Sequence, residues 1–371
     1  MVASLMRLLM YISTGIKDKI MKKIVASLLF CLLLPDLSFS QPVEEEGGTS
    51  RKNKMKAYET YNQGIQSVID KAYIVALEYF STAIDYYPEF DLAYLQRAKV
   101  NIELNKSGAA VSDLDNALRI NPASGEAYFY RAYLRLPADD PLQAEQDFAA
   151  ALTNGYKSGN LFYYRGLNML VQGDYKSALD FFNQSIILDP GNALAYHDRG
   201  TAKRLLGDNQ GAMFDYMQAI NYKSDFPVAY NNLGSIKKNL GDYKGAIESY
   251  TVAINLDDKF YAAYNNRGSA KFQLDDFEGA LEDFNKVLSL KNDYPVVLNN
   301  IGNTYAKLND LNTAHTNFDK ALELDNTYGQ AYLNRGLIME QLGDLTSACQ
   351  DWNRASELGV AEALEYLKEC K

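Results

Sequence analysis

The sequence predicts an all-α protein, a right-handed α-solenoid of nine 34-residue helix-turn-helix units closed by a C-terminal capping helix. Three observations predict it. A 34-residue unit recurs without insertion from residue 57 to residue 362. Within each unit, two apolar stretches at helical period flank turn residues near the fifteenth position. One such hairpin cannot bury its apolar face alone, whereas stacked neighbours bury a continuous core. Composition agrees: 47% hydrophobic and 23% charged residues describe a folding chain, and Gly plus Pro at about 9% excludes collagen-like or linker-rich architecture.

The N-terminal segment reads as an export signal over residues 1–40. Met21-Lys22-Lys23 is followed by an apolar run from Ile24 to Leu34 and by Ser38-Phe39-Ser40, which predicts cleavage between Ser40 and Gln41. The run is too short to cross a membrane. Met21 is the better initiator, because Arg7 breaks the weaker apolar stretch before it. With Met1 as the start, residues 1–34 would instead form a membrane anchor. Cys31 follows Phe30, where lipidation needs a small side chain, so lipidation is rejected. Residues 41–56 are polar and aperiodic and read as a flexible leader.

The units span 57–90, 91–124, 125–158, 159–192, 193–226, 227–260, 261–294, 295–328 and 329–362. Position 8 is small in all of them, from Gly64 through Gly234 to Gly336. Position 20 is always Ala, as in Ala246 and Ala348, and position 24 is Leu114 or an aromatic ring such as Phe80, Tyr250 or Trp352. Position 27 is small except at Val287, and Pro88, Pro122 and Pro190 close three units. Small residues at 8 and 20 let two helices approach, and the ring at 24 fills the space beside them.

These columns resemble the tetratricopeptide repeat over 57–362, with Tyr rather than the usual Trp at position 4 in six units, Tyr94 and Tyr230 among them. Residues 363–371 extend the array as a C-terminal cap that hides its open apolar end.

Two couplings are readable inside the array. Arg at position 7 and Asp at position 23 lie eight residues either side of the turn, hence level on antiparallel helices. The spacing predicts bidentate pairs Arg97–Asp113, Arg131–Asp147, Arg199–Asp215, Arg267–Asp283 and Arg335–Asp351. The alternative is an Arg row that reads acidic ligands. Cys349 and Cys370 flank the turn near Gly359 and are predicted to form a disulfide, against the alternative of two free buried thiols.

The resemblance implies that the first helix of each unit lines a concave groove through positions 2, 5, 6, 9, 12 and 13. Those positions give an aromatic stretch in units three and four (Phe129, Tyr130, Tyr133, Tyr163, Tyr164). In units six to eight they give a polar row of Asn231, Asn232, Asn265, Asn266, Asn299, Asn300 and Asn303. An Asn row suits an extended backbone, since each amide offers donor and acceptor. Equally, Asn at position 6 belongs to the repeat's consensus, and the rings can simply pack between units. No unit has Lys at position 2 or 5, so the clamp of the chaperone-tail binders in this family is absent.

Chemistry is sparse. Two His and three Cys are too few for a zinc cluster, and neither His197 nor His315 has a nucleophile beside it. No catalytic residue, metal or cofactor is expected. A net charge of −10 argues against a nucleic-acid partner. The expectation is a non-enzymatic scaffold that binds a polypeptide in its groove, located in the periplasm, the outer envelope or outside the cell, with no integral membrane span in the mature chain. The alternative is a glycan or cell-wall capture module using the aromatic stretch, and a third reading is an assembly subunit working through its convex face or ends.

Overall fold

The computed structural model describes residues 48–136 and 140–370, and among them the chain is all helical with no strand. The export signal, residues 41–47 of the leader and Lys371 lie outside the described residues. Nine consecutive helix pairs follow the repeat register. They are α1 (Gly48–Ile69) with α2 (Tyr73–Tyr86), α3 (Asp91–Glu103) with α4 (Ser107–Ile120), and α5 (Gly125–Arg135) with α6 (Pro141–Thr153). Next come α7 (Gly159–Val171) with α8 (Tyr175–Leu188), α9 (Ala193–Leu205) with α10 (Asn209–Tyr222), and α11 (Pro227–Asn239) with α12 (Tyr243–Leu256). The last three are α13 (Tyr261–Phe272) with α14 (Phe277–Leu290), α15 (Pro295–Lys307) with α16 (Leu311–Leu324), and α17 (Gly329–Gln341) with α18 (Leu345–Glu357). A single turn, α19 (Ala363–Tyr366), and a 3₁₀ turn, Leu367–Glu369, follow.

The turn inside a unit is set by two adjacent residues. Gly241 takes φ +83°, the left-handed conformation that ends α11, and Asp242 then caps α12 by accepting the Gly245 N–H at 2.9 Å. Asp174, Asp208, Asp276, Asp310 and Asp344 cap their helices in the same way.

Packing explains the columns. A Cβ on Gly234 would stand 2.7 Å from the Tyr250 ring, so position 8 must be small wherever position 24 is a ring lying flat on the first helix. The ring is fully buried in every unit that has one. First helices of consecutive units also touch one another, as α11 does α13 and α15 does α17, more closely than second helices do. The row of first helices therefore lies on the inside of the bend.

Two expectations are corrected at the ends. Residues 48–56, expected as part of the flexible leader, are the opening turns of α1. The stretch is rich in strong helix formers (Arg51, Lys52, Lys54, Lys56), so an existing helix propagates through it, and Lys54 and Lys56 lie over the rings of Tyr87 and Tyr86. The C-terminal cap is one α turn and one 3₁₀ turn rather than a continuous helix over 363–371. So short a segment cannot sustain a helix alone. Tyr366 stacked on Trp352 (centroids 5.2 Å apart) and the Cys349–Cys370 disulfide hold it, with Cα atoms 5.7 Å apart.

Candidate ligand groove

The inner face is built from first helices, and the residues of interest fall into those tied to a neighbour and those left open. The five Arg–Asp pairs are brought together as bidentate pairs within their units. Arg267 donates from Nε to Asp283 Oδ2 at 2.9 Å and from Nη2 to Oδ1 at 2.6 Å. Arg97 with Asp113, Arg131 with Asp147, Arg199 with Asp215 and Arg335 with Asp351 show the same fork. The third guanidinium nitrogen escaped the sequence reading. It reaches position 25 of the preceding unit: Ser81, Asp115, Asn183, Thr251 and Asp319 accept from Arg97, Arg131, Arg199, Arg267 and Arg335. Each Arg also lies over the position-4 ring of its own helix, at 5.6 Å for Arg267 over Tyr264. The Arg row is thus committed to holding units together. Arg165 shows the rule by exception: with Phe181 at position 23 and Ala149 at position 25, it stacks on Phe181 at 4.3 Å and pairs with Glu145.

The Asn row is also tied, unit to unit. Asn266 Nδ2 donates to Asn231 Oδ1 at 2.9 Å, Asn300 to Asn265 at 3.0 Å and Asn334 to Asn299 at 2.8 Å. The ladder runs on toward the N-terminus with other chemistry. Asn232 donates to His197 Nε2 at 2.9 Å, His197 Nδ1 faces Asp198 at 2.8 Å, and the Tyr163 hydroxyl donates to Asp198 at 2.8 Å. Every rung between units joins position 5 of one unit to position 6 of the next, and the His197–Asp198 contact links two rungs within a unit. Burial beside the Asp198 carboxylate holds the Tyr163 phenol above its usual range.

Position 5 is therefore a contact between units rather than groove surface. Asn231, Asn299, Phe129 and Tyr163, expected to face a ligand, are buried, and Asn265 is half-buried. The aromatic stretch closes on itself for the same reason. Phe129 stacks on Tyr156, meets Tyr130 edge-to-face and lies tilted against Tyr164, while Tyr133 meets Tyr164 edge-on at 4.8 Å. Lys99 lies over Tyr130. Tyr130, Tyr133 and Tyr164 keep a half-buried edge toward the groove.

What stays open lies at positions 9, 12 and 13 of the later units. Ser269, Phe272, Gln273, Phe284, Asn300 and Asn303 line one hollow. A second, of about 450 Å³, adjoins it through Phe272 and Asn303 and is lined further by Lys307, Phe318, Asn334, Leu337 and Gln341. Among the described residues the side-chain amides of Gln273, Asn303 and Gln341 make no hydrogen bond. Of the predicted row, Asn303 alone thus keeps its whole amide free. Three cations on this face, Arg204, Lys238 and Lys307, have no carboxylate partner, and burial pushes the half-buried Lys238 ammonium below its usual range. No helix among the described residues is long and apolar enough to cross a membrane.

Comparison with known proteins agrees with this geometry. Family models described as TPR repeat match residues 268–309 and 302–343, and models described as tetratricopeptide repeat match 227–260 and 131–193. A tetratricopeptide repeat protein from Parabacteroides merdae shares the fold at TM-score 0.55 and 18% identity, over 66% of this chain and 98% of that one. The pilF protein of Pseudomonas aeruginosa gives 0.50 at 20% identity, over 57% and 97%. A chain of the APC/C hetero-tetramer Cut9–Hcn1 gives 0.54 at 16%, over 86% and 68%. At such identities the likeness is one of fold. Repeat columns, paired helices and matching family models lead to one statement: the chain is a tetratricopeptide-repeat protein.

Proposed function

We propose that this protein is a non-enzymatic scaffold that holds a polypeptide along the inner face of its later units. The observation that carries the reading is the pair of adjoining hollows from Ser269 to Gln341, where rings and free amides stand side by side. Apolar walls with a few unpaired donors and acceptors suit a polypeptide, whose backbone needs both kinds of partner and whose side chains need pockets. The glycan alternative has less behind it, because the rings it would use are engaged with each other. An envelope or secreted location belongs to the same proposal. Its support is the basic–apolar–small pattern of residues 21–40 and the Cys349–Cys370 disulfide, which suits an oxidising compartment. Cell fractionation with N-terminal sequencing tests that part, and a full-length cytosolic chain would refute it.

The binding part is tested by in-cell photo-crosslinking, with a probe at Gln273 in the groove and a control at the exposed Phe214 on the outer face. A discrete polypeptide captured from Gln273 and not from Phe214 is the expected result. Equal capture from both, or none from Gln273, would contradict it.

A further inference from the structure

In a chain of net charge −10, the inner face of units five to eight is locally basic. At positions 2, 5, 6, 9, 12 and 13 of these four units stand Arg204, Lys238 and Lys307, and a single carboxylate, Asp198. Asp198 is already held by the Tyr163 hydroxyl and by His197. The next carboxylate on this face, Glu340, stands one unit farther on.

The basic residues of neighbouring columns are paired. Lys203 and Lys271 bind Asp215 and Asp283 at 2.9 Å, and Lys237 donates to the Gly245 carbonyl. Nearer the N-terminus, Lys99 on the inner face is paired with Glu126. Arg204, Lys238 and Lys307 have no ion-pair partner, and of the three Lys238 alone is half-buried, where burial lowers its proton affinity. Desolvating an ammonium without a partner is unfavourable, and the unfavourable part is recovered only when a carboxylate arrives.

Register places Lys238 at the hollows. Residues 31 apart face each other across consecutive first helices, as Lys99 does Tyr130, Tyr133 does Tyr164, and Ser269 and Phe272 do Asn300 and Asn303. Lys238 is so related to Ser269, at the start of the first hollow, and Lys307 lines the second. Between them lies the apolar surface of Phe272, and Leu337 closes the second hollow on the far side of Lys307.

We propose that the polypeptide bound in this groove is an acidic segment, with one carboxylate on Lys238, a second on Lys307, and an apolar side chain between them against Phe272. This rests on the groove reading above and adds the ligand's chemistry to it. Two helix-to-helix steps of 8–10 Å span roughly 20 Å. An extended chain covers that with about six residues at 3.3 Å each. The acidic residues are therefore about six positions apart.

The test is fluorescence anisotropy of the purified chain with three labelled peptides in a Gly/Ser background. Each carries one Leu midway between two variable residues six positions apart, which are Glu, Gln or Lys. The Glu peptide should bind at least about fivefold more tightly than the Gln peptide, and the Lys peptide weakest, with the difference shrinking in high salt. Lys238→Gln and Lys307→Gln should each weaken the Glu peptide about threefold and leave the Gln peptide unchanged, with neither variant melting below the parent. Equal binding of all three peptides, unmoved by either substitution, would overturn the acidic ligand while leaving a polypeptide groove intact. No binding by any of them would overturn it as well, since the Glu peptide meets every stated condition. The groove reading itself then stands or falls on capture at Gln273.

Discussion

Position 8 shows how little freedom a single residue has in this array. Gly234 lies under the Tyr250 ring, and a methyl group there would press on ring carbons at 2.7–3.0 Å. Gly234→Ala should destabilise the chain by about 1–3 kcal/mol, read as an earlier urea midpoint, since the ring has no space to retreat. The same ring reports on alkaline pH. Burial pushes the Tyr250 hydroxyl up to about 12, against a small opposing pull from its bond to Ser235. Below pH 10 the phenol is neutral folded or unfolded, so it adds no pH dependence. Between about 10 and 12 the unfolded chain loses this proton while the folded chain keeps it, so stability falls as pH rises. Tyr250→Phe should flatten that part of the decline, and an unchanged slope would contradict the assignment. The Arg–Asp fork was legible because both partners sit level about one turn and leave a coincidence between two columns. The Asn rungs were less so. Whether the amide of Asn266 meets a ligand or Asn231 depends on how one unit rotates on the next, and spacing within a unit does not contain that angle.

At the scale of the element, regularity in the middle contrasts with particular solutions at the ends. From unit three on, second helices start on an Asp cap. First helices outside unit three stop on a left-handed residue, which is Gly in the better-formed turns and Lys71, Asn105, Asp275 or Asn309 elsewhere. Helix boundaries were readable from those turn residues. The end elements were harder, because no repeating neighbour sets them: α1 runs on through a polar stretch, and the cap is shaped by the Trp352–Tyr366 stack and the disulfide. Reduction, or Cys370→Ser, should loosen the last turn without disturbing the earlier units, because contacts in a solenoid are local. Closing the 21-residue separation is worth about 3 kcal/mol to the last unit on the chain-entropy model. Amide exchange should rise at 363–370 and stay unchanged at 227–260. A uniform rise would mean that the cap supports the whole array.

The whole molecule divides its inner face into side chains that hold units together and side chains left for something else. Conserving register across nine units requires a tie at each junction; Arg at position 7 and the position 5–6 ladder are two kinds of tie, and each junction has at least one of them. The groove was therefore only half legible: the columns that resemble the family's binding positions include position 5, which this chain buries. Residues that remain open, Gln273, Asn303, Gln341, Lys238 and Lys307, belong to no column constant enough to stand out. The central claim is that ladder amides stabilise and free amides bind. It is tested most directly by comparing Asn266→Ala/Asn300→Ala with Asn303→Ala/Gln341→Ala, each scored for melting temperature and for capture at a Gln273 probe. Leaving Asn231 and Asn265 without their rungs should cost about 1 kcal/mol per rung and lower the melting temperature. The second pair should melt like the parent and lose most of the capture. Parent-like melting with lost capture for the ladder pair, beside full capture for the free-amide pair, would contradict the account.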